Sequence, residues 1–141
     1  MLKRTIQYQD WNDTQRTEDF FFNLTETECL DLQLTTAGGL AETIQKIINS
    51  NEVAQMIGVF KELLLASYGE KSDDGRHFVK SPEIRASFQN TVVFNKLYLE
   101  LATDDKAAVA FIEGIMPANL LEQAKAEQAK NADNLVAIPQ Q

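Results

Sequence analysis

One histidine stands among carboxylates in a polar stretch of the chain, and this is the strongest candidate for chemistry. His77 lies near Glu70, Asp73 and Asp74, and imidazole with carboxylates is a combination that binds metals or acts as a general base. A calcium loop of the EF-hand type is excluded, because the residue eleven positions after Asp73 is Ile84, where such a loop needs a bidentate Glu. Zinc would need more His or Cys than the chain offers, although carboxylates can supply some ligands. We therefore interpret the stretch as a solvated turn.

The other groups that could do chemistry match no known type of active site. Cys29 is the single cysteine and has no His near it in sequence, so it is predicted to be a small core or half-buried residue and not a nucleophile, with proximity to His77 in space left open. Glu100 and Glu113 fall on different predicted helices, and nothing fixes the distance between them. The motifs GxSxG, Walker A, GxGxxG and HExxH are absent from the sequence. We predict no enzyme activity, no metal and no cofactor.

Composition and charge bound the class of protein. The chain has 141 residues and a net charge of -8, which is typical of one globular domain that is a poor binder of nucleic acid. The acidic residues are scattered, with no run longer than two, so the charge is interpreted as serving solubility. A single cysteine, no apolar run near the N-terminus and no stretch of ~18 apolar residues predict a cytoplasmic protein that neither enters nor binds a membrane.

The N-terminal part predicts a β-hairpin over residues 3–24. Residues 3–10 alternate, with Ile6 and Tyr8 on one side, and residues 16–24 alternate again around a polar turn. Two strands alone are marginal in water, so the hairpin must pack on helices or pair with another chain. Phe21 falls on its polar face, where a neighbouring element is expected to cover it, with contact to a partner as the alternative.

Helical patterns follow from residue 25 to about residue 130. Thr25 and Glu28 form a capping box that starts a helix with Leu30 and Leu34 facing inward. Two apolar stripes come next. The first contains Leu40, Ile44, Ile47 and Ile48, and the second contains Val53, Met56, Ile57, Phe60, Leu63 and Leu64.

A polar break over 67–81 predicts a loop or small hairpin with its tip at Asp74–Gly75. Ser81 and Pro82 then begin a helix. This helix is expected to run into the central one.

The segment from Phe88 to Leu101 predicts a central buried helix, because apolar residues cover almost its whole circumference. One side carries Phe88, Val92 and Leu99, and the other carries Phe94, Leu97, Tyr98 and Leu101. The run Thr103–Asp104–Asp105 ends this helix and caps the next, which ends around Gly114 and Pro117. A weaker helix from Pro117 to about Lys130 has Leu120 and Leu121 on its apolar face. Val93, Leu120 and Leu121 are weak candidates for exposed apolar surface.

These patterns together predict an α+β fold that is mainly α. An N-terminal β-hairpin is followed by about five to six helices in one compact domain, residues 1–130, with the hairpin at 3–24 and helices at 25–130. Residues 131–141 have no period and few apolar anchors, so they are predicted to form a flexible, disordered tail or to order only on a partner.

The chain contains the runs SYGEKSDDGRHFVKSPE at 67–83, LELATD at 99–104, AFIEGIMP at 110–117, TEDFFFNL at 17–24 and GGL at 38–40. Together these runs resemble a family of tail assembly chaperones of long-tailed bacteriophages. The resemblance covers about residues 3–121 in one colinear order. The chain departs from the family pattern at 91–96, where TVVFNK is more apolar.

The resemblance implies a non-enzymatic role in virion assembly. Such a chaperone binds the tape-measure protein in the host cell cytoplasm, keeps it soluble, helps recruit tail-tube subunits and is absent from the mature virion. The resemblance also implies that many such genes yield a longer product by frameshifting, which protein sequence does not show. The tape-measure and tail-tube proteins are then the expected partners, and self-association is left open.

Other classes of function remain as alternatives. A structural virion component, such as a tail-tube or completion subunit, should be mostly β, whereas this chain is predicted to be mainly helical. A small inhibitor of a host protein fits the size and charge but has no motif to support it. A metal-dependent hydrolase comes last, because the sequence offers few metal ligands.

Overall fold

The computed structural model describes residues 1–35, 57–118 and 120. Within these ranges four strands form one sheet and five helices account for about half of the residues. The strands are β1 (Leu2–Gln9), β2 (Gln15–Phe22), β3 (Tyr68–Lys71) and β4 (Phe78–Val79). The helices are α1 (Glu26–Thr35), α2 (Ile57–Ser67), α3 (Pro82–Gln89), α4 (Val92–Thr103) and α5 (Asp105–Ile115). The predicted hairpin and the mainly helical character are confirmed.

The sheet is antiparallel throughout, with the strand order β1-β2-β3-β4. β1 and β2 pair along their full length, from Leu2 opposite Phe22 to Gln9 opposite Gln15. The Asp10 carboxylate shapes the turn between them, because it accepts hydrogen bonds from the N–H groups of Asn12 and Thr14. The small hairpin predicted at 67–81 exists as β3 and β4. β3 also pairs with β2, so the two hairpins form one sheet.

The core lies between the inner face of the sheet and the helices, and aromatic rings make up its centre. Phe88, at the end of α3, stacks on Tyr68 at 3.9 Å between ring centroids. The same ring meets Phe22 edge-on at 5.8 Å and Phe94 at 5.7 Å. Phe22 also meets Phe111 of α5 at 5.2 Å and is completely buried. Burial of each ring stabilises the fold by about 1.5–3 kcal/mol. The contacts among these rings join the sheet to α3, α4 and α5.

The predicted central helix is divided in two. α3 ends at Gln89 and α4 begins at Val92, with Thr91 as N-cap. The Thr91 hydroxyl accepts a hydrogen bond from the N–H of Phe94 at 3.1 Å and donates one to the carbonyl of Phe88 at 2.7 Å. A threonine cap therefore outweighs the continuous apolar pattern across this junction.

Two predicted inward residues face solvent instead. Leu30 of α1 is 61% exposed and Leu99 of α4 is 63% exposed, so both predictions are wrong. Leu99 shares a face with Asn95 and Thr103, which are four residues away on either side and are also exposed. That polar face, and not the apolar residues beside Leu99 in sequence, sets its position.

The predicted helix starts are confirmed by their hydrogen bonds. The Thr25 hydroxyl accepts from the N–H of Glu28 at 3.1 Å, and the Glu28 carboxylate accepts from the N–H of Thr25 at 3.0 Å. Ser81 caps α3 with Pro82 in its first turn, and Asp104 caps α5. Phe60, Leu63 and Leu64 of the second apolar stripe are buried in α2.

Other predictions fall outside the described residues. These are the stripe at 40–48, the start of the stripe at 53–64, the helix beyond Leu120 and the tail at 131–141. The division into a domain at 1–130 and a tail therefore stays a prediction.

Candidate functional site

The segment 67–83, which carries the longest run of the family resemblance, joins the helices to the sheet. Ser67 is completely buried, and its hydroxyl donates to the carbonyl of Leu64 at 2.9 Å. Its own carbonyl accepts the N–H of Asn23 at 2.8 Å, which ties the end of α2 to the end of β2. Tyr68 follows directly and places its ring on Phe88. The first residues of the segment are therefore part of the core.

The ring of Phe78 occupies the space that a side chain at Gly69 would need. A Cβ atom on Gly69 would lie 2.8 Å from the ring of Phe78 and 3.0 Å from the carbonyl oxygen of Val79. Gly69 pairs with Phe21 of β2, so Phe21 and Phe78 lie near each other on the outer face of the sheet. The Lys71 ammonium lies 5.5 Å from the centre of the Phe21 ring, and that of Lys80 lies 5.4 Å from Phe78. Both rings are half-buried beneath cations.

The turn that holds His77 uses its polar groups for its own shape. The Asp74 carboxylate accepts from the N–H of Arg76 at 3.0 Å and from the Ser72 hydroxyl at 2.7 Å, and these bonds lower the pKa of Asp74. The N–H of His77 donates to the Ser72 hydroxyl at 3.0 Å, and Gly75 takes a φ of 76°. In the parts of the chain that are described, no group of three or more His, Cys, Asp or Glu could hold a metal ion.

Lys80 closes the segment with a partly buried ion pair. Its ammonium donates to the carbonyl of Asn23 at 2.6 Å and to the carboxylate of Glu28 at 2.7 Å. Burial raises the pKa of Glu28, but hydrogen bonds from Lys80 and from the N–H of Thr25 outweigh it, and the net pKa lies below the ordinary value. The bond therefore joins α1, β2 and the start of α3 through one cation.

Cys29 lies in the core, with 2% of its surface exposed. Burial raises the pKa of its thiol to about 11, with the Glu28 carboxylate as a second contribution. A thiol with so high a pKa is neutral near pH 7 and is a poor nucleophile. The prediction of a small buried residue is confirmed.

The segment 67–83 thus connects α1, α2, β2 and α3 through hydrogen bonds and ring contacts. Comparison with known proteins agrees with the resemblance in the sequence. A family model described as phage tail assembly chaperone matches residues 1–141. The chain belongs to the phage tail assembly chaperone family. No curated protein and no solved structure matches it.

Membership in this family assigns a role in building the phage tail. A tail assembly chaperone acts in the host cell during virion assembly and interacts with tail proteins. The family is generally non-enzymatic. None of the helices in the described ranges is long and apolar enough to cross a membrane.

The four predicted contact residues lie in different environments. Phe21 is half-buried beneath the Lys71 ammonium. Val93 is completely buried in α4, so the expectation that it forms exposed apolar surface is wrong. Leu120 is half-buried and packs against the core, and Leu121 lies outside the described residues. Contact of Phe21, Leu120 and Leu121 with a partner stays a prediction.

Within the described ranges, sequence reasoning missed three strongly exposed apolar side chains. Trp11, in the turn between β1 and β2, is 72% exposed, while its indole N–H donates to the carbonyl of Asn90 at 3.0 Å. Leu99 and Leu30 have similar exposure. The sequence offered one usable signal for Trp11, because a tryptophan between Asp10 and Asn12 lies in a polar turn.

Proposed function

We propose that this chaperone binds the tape-measure protein of its phage in the host cytoplasm, keeps it soluble and helps to recruit tail-tube subunits. On this proposal it leaves before the mature virion forms and has no catalytic activity. The observation that carries the proposal is the family match over the whole chain, residues 1–141. The polar groups of the 67–83 segment bond to one another and to nearby backbone carbonyls, which supports a binding role over a catalytic one.

A chaperone for a long apolar client needs apolar surface that its own fold leaves exposed, with charge around it to prevent aggregation. Trp11, Leu99 and Leu30 meet the first condition, and the net charge of -8 over the whole chain is consistent with the second. Tryptophan is also the side chain most enriched among residues that dominate binding energy. We therefore place these three residues first among contacts, with Phe21, Leu120 and Leu121 as further contacts.

The decisive test is co-expression of the tagged chaperone with the tape-measure protein encoded nearby. The proposal expects the client to precipitate alone and to be recovered as a soluble complex with the chaperone. Equal insolubility of the client in both cases would reject the proposal. Recovery of this chain as a component of purified virions would instead support the alternative, a structural part of the tail.

The contact surface can be tested with a matched pair of substitutions at Leu99. Leu99→Asn removes exposed apolar surface, and Leu99→Met keeps it. Because the side chain is exposed, both variants should keep the free energy of unfolding within about 0.5 kcal/mol of the original chain. Leu99→Asn should reduce client recovery severalfold and Leu99→Met should not. Equal recovery with both variants would remove Leu99 from the proposed surface.

A second pair tests Trp11 in the same assay. Trp11→Ser removes the ring, whereas Trp11→Phe keeps an aromatic surface and loses the hydrogen bond to Asn90. If the ring contacts the client, Trp11→Ser should lower client recovery more than Trp11→Phe does. If the two variants lose client equally, the hydrogen bond and not the ring matters.

A further inference from the structure

The outer edge of β1 has a row of backbone groups with no strand beside it in the described part of the chain. β1 is the first strand in the order β1-β2-β3-β4 and has a strand on one side. The N–H of Asp10 donates to the carbonyl of Thr14, which lies on the β2 side of the hairpin. Because successive residues of a strand point their N–H and C=O groups to opposite sides, even-numbered residues bond to β2 and odd-numbered residues point outward.

Lys96 confirms this assignment and marks the edge. Its ammonium donates to the carbonyl of Gln7, so that carbonyl points away from β2. The outward groups therefore belong to Lys3, Thr5, Gln7 and Gln9. Beside this edge, between β1 and α4, lies a groove of about 360 Å³ lined partly by Ile6 and Leu97. An added strand would thus find both free backbone groups and an adjoining helix.

Two side chains of opposite charge on α4 line the same groove. Glu100 accepts from the Arg4 guanidinium at 2.9 Å, near the start of β1. Lys96 is exposed, and no carboxylate lies within ion-pair distance of it among the described residues. α4 therefore runs antiparallel to β1, with its cation near Gln7 and its anion near Arg4. This arrangement is self-complementary under a two-fold rotation.

We propose that the β1 edge pairs antiparallel with the β1 edge of a second copy of this chain and so forms one continuous eight-stranded sheet. Pairing centred on Ile6 places Thr5 opposite the partner's Gln7 and Lys3 opposite the partner's Gln9. Each outward residue then meets another outward residue, which allows about eight backbone hydrogen bonds. No like charges face each other across the seam in this register.

The charges of α4 favour a second copy over another extended partner. In this register Gln7 of one protomer lies opposite the partner's Thr5, next to the partner's Arg4. Lys96 of one protomer is then within reach of the partner's Glu100, and the two-fold axis repeats this pair. The strand of the second copy takes the Gln7 carbonyl from Lys96, and the ammonium gains a carboxylate in exchange.

A lysine at an edge can also serve to block strand addition. That role would need no carboxylate across the seam, and it predicts that removing the lysine allows pairing. Self-pairing predicts instead that Lys96→Glu, which removes the lysine and reverses its charge, weakens the dimer. The two interpretations are therefore separated by the same set of variants.

The test measures the mass of the full chain in solution by sedimentation equilibrium and light scattering. The original chain should be a dimer at about 100 μM, where a Kd of about 10 μM makes the dimer dominant. Gln7→Pro removes an outward N–H and is compatible with an edge strand, so it should yield a folded monomer. Gln7→Thr keeps the N–H and should remain a dimer.

Charge exchange gives a test that does not depend on the proline variant. Lys96→Glu places two carboxylates together across the seam, and Glu100→Lys places two ammonium groups together. Each variant alone should weaken the dimer at least tenfold, and an equimolar mixture of the two should restore it, because opposite charges meet again in the mixed dimer. Circular dichroism of each variant confirms that the fold is retained.

Other outcomes overturn the proposal. A monomeric original chain at about 100 μM rejects it. A dimer that survives both Gln7→Pro and Lys96→Glu uses another surface. Failure of the mixture to dimerise when each variant is folded removes the Lys96–Glu100 pairing on which the choice of partner rests.

Discussion

At each edge of the sheet a lysine ammonium binds a backbone carbonyl, but among the described residues only one of the two lysines also binds a carboxylate. At the β3–β4 side, the ammonium of Lys80 binds the carbonyl of Asn23 and the carboxylate of Glu28. At the β1 side, the ammonium of Lys96 binds the carbonyl of Gln7. The Lys80 side chain is 18% exposed, whereas Lys96 is exposed and has no carboxylate beside it in the described ranges.

The difference separates an edge that the chain itself secures from the edge where we propose that a second copy binds. A partly buried cation with a carboxylate and a carbonyl connects three elements, and its loss leaves buried polar groups unpaired. An exposed ammonium that binds one carbonyl is also solvated by water, so its hydrogen bond contributes little to the free energy of unfolding. The segment 67–83 should therefore be sensitive to substitution in the isolated chain, and the β1 edge should be sensitive when a partner is present.

Of the substitutions in the segment 67–83, Gly69→Ala should reduce the stability of the fold most. The new Cβ would lie 2.8 Å from the Phe78 ring and 3.0 Å from the Val79 carbonyl oxygen, so the ring or the strand must shift. We expect a loss of about 2 kcal/mol in the free energy of unfolding, measured with urea. Gly58→Ala is the matched control, because nothing lies within 4 Å of its Cβ position. A loss at Gly58 as large as at Gly69 would contradict the steric explanation.

Lys80→Met should have the next largest effect. The substitution keeps much of the aliphatic chain but leaves the Glu28 carboxylate and the Asn23 carbonyl without their cation. Because the pair is partly exposed, we expect the free energy of unfolding to fall by about 1 kcal/mol, which lies between the values for surface and buried ion pairs. The double variant Lys80→Met with Glu28→Gln should lose less than the sum of the two single changes. Strict additivity would mean that the pair does not interact.

The pH dependence of stability should identify the same carboxylate. The pKa of Glu28 in the folded chain is lowered below its ordinary value of 4.5. A lowered pKa means that the unfolded chain binds the proton more readily, so the stabilisation is present above the ordinary value and is lost as pH falls through the folded-state pKa. Glu28→Gln should flatten this part of the stability curve, measured by urea unfolding at a series of acidic pH values. An unchanged slope would assign the loss to other carboxylates.

The sequence predicted those elements whose signals are local. The capping box at Thr25, the cap at Ser81 and the turn at Gly75 depend on neighbouring residues, and the structure contains all three. The hairpin β1–β2 has a period of two over both strands and was predicted for the same reason. Membership in the chaperone family came from longer runs of residues, and the family match confirms it.

Relations between distant segments could not be predicted in this way. β3 pairs with β2 across more than forty residues, and its four residues carry too weak a pattern to indicate a partner. Val93 and Leu99 are both apolar, but Val93 is buried and Leu99 is exposed. Residue type alone does not indicate which face of α4 packs against β1 and α5. The missed break at Thr91 shows a different limit, because a local cap signal was present and the apolar run around it was given more weight.

Lys96→Met should have the smallest effect on the isolated chain and thus sharpens the comparison with Lys80→Met. The lysine is exposed and bonds to one carbonyl, so the free energy of unfolding of the monomer should change by less than about 0.5 kcal/mol. The measurement belongs at concentrations below the onset of any self-association, since a dimer adds its own stabilisation. A loss equal to that of Lys80→Met would show that the β1 edge stabilises the fold as strongly as the β3–β4 edge does. A small loss at low concentration, with a larger one at high concentration, would place the role of Lys96 between two chains.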